Sequence, residues 1–336
     1  MGSLGVTLLL YLAVERWAAP HLQGPIEPLR EFFFVRDVDH RLTPNDPSVP
    51  TNEDGIRSSR PARAFAAPGR NVVILGDSFL YGYKLRYEQS VPFLVERHLQ
   101  EHFPGAPVRV ANFAWTSSSP LLSYRLLRDI GAKYRPELVV QCIDMTDFHD
   151  DLKYAAMLSR EGIYRYYDRF PLALTALKTV APGAFRRLHS WSLSGAIPPR
   201  IFFASRAPLE ETRPRLTALV ENLRRIDRWA RTHGARLAVV VVPRNYQYSD
   251  RESPRSWERN AYEPLGPYAL EPFRFFSELD GKLGFPVYSL LPAFQRTTVF
   301  PTCFVDDPHW NEDGARVAAD ALAPILASLM GDRAPS

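Results

Sequence analysis

Five short stretches of the chain are apolar almost throughout: residues 71–75 (NVVIL), 108–113 (VRVANF), 137–143 (ELVVQCI), 235–243 (ARLAVVVVP) and 285–291 (FPVYSLL). Between them lie segments with helical spacing of apolar positions. In 88–103 these are Val91, Leu94, Val95 and Leu99; the same rhythm runs through 121–134, 215–234, 269–284 and 311–329. Strands that are apolar on both faces and alternate with amphipathic helices predict a parallel sheet covered on both sides. The expected architecture is therefore α/β, a three-layer α/β/α domain over about 71–330 with a central sheet of about five strands. Gly234 reads as the cap that ends the third of these helices.

Two regions break the rhythm. Residues 151–207 are rich in Tyr, Phe, Arg and Trp and too apolar for a disordered linker. They predict an aromatic-rich helical insertion, which would also serve as a lid or substrate wall. Residues 21–70 are Pro-rich and irregular, a sequence that cannot sustain a helix or a central strand; a short strand is expected at 32–35. The loop 243–266 follows the fourth strand, at the edge where open α/β sheets collect ligands.

Residues 4–14 (LGVTLLLYLAV) are apolar but shorter than the roughly 20 residues that span a bilayer. Three readings compete for the first 20 residues: the stub of a signal anchor, an uncleaved export signal, or a buried helix. The first two imply a protein exported or tethered at the cell envelope through its N-terminus, the third a cytoplasmic one; no other segment reads as a span. The 336 residues carry 41 Lys and Arg against 37 Asp and Glu, a net charge of +4 without a long basic run, so nucleic acid is a weak candidate partner. Two cysteines, Cys142 and Cys303, exclude a disulfide framework, though a single bridge stays open. No cofactor motif appears.

The candidate chemistry begins at NVVILGDSFLYGY, where the first strand runs into Gly76-Asp77-Ser78. A serine hydroxyl becomes a nucleophile only with a base, an orienter for that base, and donors for the oxyanion. Ser78 falls at the carboxyl edge of the sheet, but Leu80 stands where the Gly-x-Ser-x-Gly elbow has its last glycine. The base candidate is His309 in FVDDPHWNEDG, after the last strand. Asp306, three residues earlier, is positioned in a turn to reach Nδ1 of the ring. His98, His149 and His189 have no comparable partner. The acid-rich run DMTDFHDD (144–151) would suit a metal only loosely and lacks a zinc-type spacing.

These blocks resemble the SGNH, or GDSL-type, hydrolases, from about residue 71 to the last helix. GDSFLYG (76–82) looks like the first family block and Asp306-x-x-His309 followed by WNEDG like the last, while NEDGIR (52–57) is similar to a segment that precedes the first block in bacterial membrane-tethered members. The resemblance implies a flavodoxin-like sheet and a serine esterase. Ser78 would be nucleophile, His309 general base and acid, and Asp306 orienter, with Asp307 as rival because some relatives space the pair one residue closer. The middle blocks depart from the pattern. Asn112 matches, but Ala114 and Ser117 replace glycines, and Thr146 and Asp147 stand where Asn-Asp is usual. Ser117 (through its amide), Asn112 and Thr146 are the candidate oxyanion or substrate-binding residues; turn capping is the competing reading for Asn112 and Thr146. The implied substrate is a small-molecule or polymer ester, such as an O-acyl group on a carbohydrate or cell-envelope polymer. A binding or assembly protein, or an O-acyltransferase on the same scaffold, is the alternative.

Overall fold

Five parallel strands, β1 (Arg70–Leu75), β2 (Val108–Asn112), β3 (Leu138–Ile143), β4 (Arg236–Val241) and β5 (Val287–Ser289), form one sheet in the order β2-β1-β3-β4-β5. The computed structural model describes residues 2–22, 49–167 and 169–331. These divide into two units, the first containing residues 49–151 and 200–331 and the second residues 2–22 and 152–199.

The sheet belongs to the first unit. Alternate strand residues point to opposite faces, and both faces are covered. On one face Val72, Ile74, Val110, Val140, Cys142 and Val240 share a buried cluster with Val91, Val95 and Leu99 of the helix Val91–His102 and with Ala315, Ala318 and Leu322 of the helix Glu312–Gly331. On the other, the helix Leu209–Thr232 packs against Pro120–Ile130 and against β3 and β4. The three-layer α/β architecture is thus the one the apolar pattern predicts. β5 is shorter than its sequence run, because only Val287, Tyr288 and Ser289 pair with β4 at the sheet edge. The helix at 209 begins six residues before the expected 215. Pro214 lies inside it, and the Glu271 carboxylate accepts from the Leu209 amide at 2.9 Å, capping the start from another element. Both cysteines are free and buried.

The chain passes from β1 outward to β2 and then returns to the other side of β1 for β3. That reversal opens a crevice at the carboxyl ends of β1 and its neighbours, the preferred ligand position in such sheets. Ser78 follows β1 directly.

The second unit is helical. Pro171–Val180 and Pro182–Leu193 pack together, and Ala156, Tyr164, Tyr167, Leu174, Phe185 and Leu193 form its core with Ala19. Glu15, buried in the N-terminal helical segment, accepts from the amides of Leu172 (2.8 Å) and Ala173 (2.9 Å), placing a carboxylate at a helix N-terminus. Val6, Leu9, Leu10 and Trp17 of that segment are exposed. The helix Gly2–Ala13, at about 1.5 Å per residue, is shorter than a bilayer core. Glu312–Gly331 is long and apolar enough to cross one, but half of it is buried, and its alanine and leucine face is part of the sheet's core. The strand expected at 32–35 lies outside the described residues.

Candidate active site

The loop that carries Ser78 is built by local capping. After β1, the Asp77 carboxylate accepts from the Phe79 amide at 3.0 Å and starts one helical turn, Ser78–Tyr81. Gly82 ends that turn at φ 80, where a Cβ would meet Arg57 Nη1 and Ser90 Cβ at 2.9 Å. Arg57, the last residue of NEDGIR, donates to the carbonyls of Tyr81, Gly82 (2.7 Å) and Leu85 (2.6 Å). Its guanidinium therefore fixes the chain directly behind the serine. Asn112 holds the same turn from the other side: its Nδ2 donates to Leu80 O at 3.1 Å, and its Oδ1 accepts from Ala114 N at 3.1 Å.

His309 lies within hydrogen-bond distance of that serine. Its Nε2 is 2.7 Å from Ser78 Oγ, and its Nδ1 is 2.5 Å from Asp307 Oδ1. The same oxygen accepts from the His309 amide at 3.0 Å. The imidazole is flanked by the rings of Phe79 and Tyr83, each with its centroid 4.9 Å away, and Trp310 meets Phe79 edge-on. Burial pushes the Asp307 carboxyl up, but the hydrogen bonds from the His309 ring and amide, with Lys84, hold it well below the usual carboxylate range. Lys84 Nζ is 3.2 Å from Asp307 Oδ2.

Asp306 is not the residue that reaches the ring. Its side chain is exposed, and its carboxylate lies 3.7 Å from Lys84. An aspartate two residues before the histidine closes a tight turn in which one oxygen serves both the amide and Nδ1. At Asp306 the side chain projects outward to solvent. The rival orienter, Asp307, holds the position.

The oxyanion candidates divide. Both polar atoms of the Asn112 side chain are committed to the backbone, the turn-capping alternative. The Thr146 hydroxyl donates to Asp144 Oδ1, which also accepts from the Thr146 amide at 2.7 Å. It is therefore turned to the Asp144 carboxylate, and neither side chain is placed as an oxyanion donor. Ser117 has φ 62, a left-handed conformation that costs glycine nothing, which explains why glycine suits this place. Its turn is held beside the loop that carries Ser78, since Trp115 N donates to Gly76 O at 3.3 Å and Ser118 N to Trp115 O at 3.2 Å.

The acidic run 144–151 organises the floor of the site. Arg244, which follows β4, is buried and donates through Nε to Asp144 Oδ2 at 2.5 Å and through Nη1 to Glu258. Its guanidinium lies 5.1 Å from the Phe79 ring centroid and 5.0 Å from that of Phe202. Asp147 accepts from the Asp144 amide at 2.8 Å, and Asp151 from Leu121 N at 2.8 Å and Asn222 Nδ2 at 2.6 Å. Burial, together with Asp144, pushes the Asp77 carboxyl well up. Of the other histidines, His98 is 3.6 Å from Asp320, His149 is 3.5 Å from Asp150, and His189 meets Tyr164 edge-on and Phe185 at a tilt in the second unit.

Sequence reasoning missed Lys84, Arg244 and Glu258. Arg244 was within reach of it: a charged residue just past a central strand falls at the same carboxyl edge as Ser78. Nothing local marks Lys84, whose partner is 223 positions away.

Among solved structures, TesA aligns at 15% identity over 76% of this chain and 98% of its own, with a TM-score of 0.42. The esterase EstA from Pseudoalteromonas sp. aligns at 14% identity over 78% and 99%, with a TM-score of 0.40. A catalytic mutant of Axe2, an acetylxylan esterase from Geobacillus stearothermophilus, aligns at 13% over 77% and 94%, with a TM-score of 0.40. No curated protein matches the chain. Residues 201–335, which supply β4, β5, Arg244, Asp307 and His309, match the family model described as "SGNH hydrolase-like domain, acetyltransferase AlgX". That match covers the C-terminal part of the five-stranded parallel sheet and its flanking helices, while β1, β2, β3 and Ser78 lie before it.

Proposed function

We propose that the protein is a serine-dependent acyl-transfer enzyme that cleaves an ester through Ser78, His309 and Asp307. The observation that carries the reading is the unbroken hydrogen-bonded line from Ser78 Oγ through the imidazole to Asp307 Oδ1. In the first half-reaction the Oγ proton passes to His309 Nε2 as Oγ bonds to the carbonyl carbon. The tetrahedral intermediate expels the alcohol, which takes the proton from Nε2, leaving an acyl-serine. Asp307 stays ionised, orients the ring and balances the imidazolium. The Ser78 amide at the start of its helical turn and the Ser117 amide are the expected oxyanion donors. Losing one such donor costs about two to three orders of magnitude in rate, so backbone amides that need no side-chain ordering suit the task.

In the second half-reaction an acceptor O–H gives its proton to Nε2 and its oxygen to the acyl carbon, and Ser78 regains its proton. With water the product is a free acid; with a sugar hydroxyl it is a new ester. The family description names an acetyltransferase, which favours keeping transfer beside hydrolysis. An O-acyl group on a carbohydrate or envelope polymer remains the proposed substrate class. The exposed apolar residues of the N-terminal helical segment support a tether at a membrane.

The test is a fluorophosphonate label followed by peptide mapping. The label is expected on Ser78, absent in Ser78→Ala, with p-nitrophenyl acetate hydrolysis lost alongside it. A folded protein that takes no label and cleaves no ester would leave the binding-protein reading in its place.

A further inference from the structure

The structure assigns a fourth member to this relay: Lys84 is a positioning residue whose ammonium holds the outer oxygen of Asp307 while the inner oxygen holds the imidazole. This inference rests on the reading of Ser78, His309 and Asp307 given above. The two oxygens of Asp307 are divided between two partners. Oδ1 takes the His309 ring at 2.5 Å and the His309 amide, while Oδ2 faces Lys84 Nζ at 3.2 Å. A carboxylate held at both oxygens cannot rotate away from the imidazole, so the ring keeps the tautomer that leaves Nε2 free for Ser78.

Lys84 is itself held in place. Its backbone has φ 62, just beyond the Gly82 turn that Arg57 clamps, a conformation a lysine enters only under constraint. Its ammonium lies 5.6 Å from the Phe304 ring centroid, on the strip that leads to Asp307. The exposed Asp306 carboxylate is a second, weaker partner at 3.7 Å. The residue sits six positions after the nucleophile, on the loop that also brings Tyr83 against the imidazole. One short segment therefore supplies the nucleophile, one face of the base and the cation on its orienter.

The electrostatic consequence has a definite sign. Around the imidazole the charged and titratable groups are Asp307 and Asp306 on its own loop, Lys84 and Tyr83 after the nucleophile turn, and Glu258 from the loop after β4, which is itself paired with Arg244. Of these, the carboxylates, with Asp307 in contact with the ring, favour the imidazolium. Lys84 opposes it, both by direct repulsion and by drawing on the Asp307 charge. Removing the ammonium therefore favours the imidazolium relative to wild type.

The rate of fluorophosphonate labelling is measured against pH for wild type, Lys84→Met and Lys84→Arg. Removing the cation is expected to move the acid limb of the profile to higher pH by about half to one unit, the effect of one charge several ångströms away at a half-exposed site. Lys84→Arg, which keeps the charge, returns the limb to the wild-type position. A limb that stays put in Lys84→Met overturns the proposal, whatever happens to the height of the profile; so does a limb in Lys84→Arg that tracks the methionine variant. The imidazole NMR signals of His309, followed against pH, test the same contact without turnover. If they move in Lys84→Met while Ser78 takes no label in wild type at any pH, the enzymatic reading fails and the Lys84 contact stands. If they do not move, the contact fails independently of catalysis.

Discussion

One oxygen of Asp307 accepts from both the ring and the amide of His309, and that double acceptance decides which of two adjacent aspartates meets the imidazole. Asp306 has the same functional group and is one residue away, yet it faces solvent beside Lys84. Asp307→Asn is expected to lower the rate of labelling at Ser78 by about two to four orders of magnitude, because an amide offers the ring no charge and admits the wrong tautomer. Asp306→Asn is expected to change it less than about threefold. Equal losses in the two variants would show that the loop exchanges the two side chains. The serine and histidine were legible because each sits in a short motif at a predicted strand end. The identity of the orienter was not, since Asp-Asp-Pro-His offers two spacings and only the turn geometry separates them. Of the two readings of Thr146, the structure shows the turn-capping one: its hydroxyl and amide both meet Asp144, two residues back.

Secondary structure followed closely from periodicity, because the strands are apolar on both faces and the helices on one. The contacts that make the active loop rigid did not. Arg57 lies in an irregular Pro-rich stretch, and its three acceptors are 24 to 28 residues further on. Sequence pattern carries no record of such pairings; only the likeness of NEDGIR to a family segment marked the place. The physical role is nonetheless demanding: one buried guanidinium donates to three carbonyls on the segment that follows Ser78, of which Gly82 O also accepts from the Leu85 amide. Arg57→Ala is expected to destabilise the protein by roughly 2–4 kcal/mol in urea unfolding. Arg57→Lys is expected to recover less than half of that, because a single ammonium does not reproduce the planar fork. Both variants should also label more slowly at Ser78 under native conditions. A lysine variant as stable as wild type would mean that one carbonyl matters and the others do not.

Across the whole molecule, the buried carboxyls of the sheet unit set a pH dependence opposite to that of the site. Burial pushes Asp77, Asp147 and Glu258 up, and pushes Asp151 from 3.8 to about 6. A carboxyl that holds its proton more tightly when folded costs stability wherever it is ionised in both states, and the cost is relieved as the pH falls through its folded value. For Asp151 the cost is complete above about pH 6 and gone by about 3.8, a change of about 3 kcal/mol if the group acts alone. Asp307 runs the other way: its carboxyl is depressed in the fold, so its contribution is present above the ordinary carboxylate range and lost only in stronger acid. For Asp151 this predicts a fold that loses stability as the pH rises from about 4 to 6 and is less stable at pH 8 than in that range. Calorimetric transition temperatures should therefore be higher at pH 5.5 than at pH 8. Asp151→Asn, which cannot ionise, should flatten the slope between those two values whatever it does to absolute stability. A slope unchanged in that variant would assign the dependence to Asp77, Asp147 and Glu258, and a transition higher at pH 8 than at 5.5 would refute the scheme.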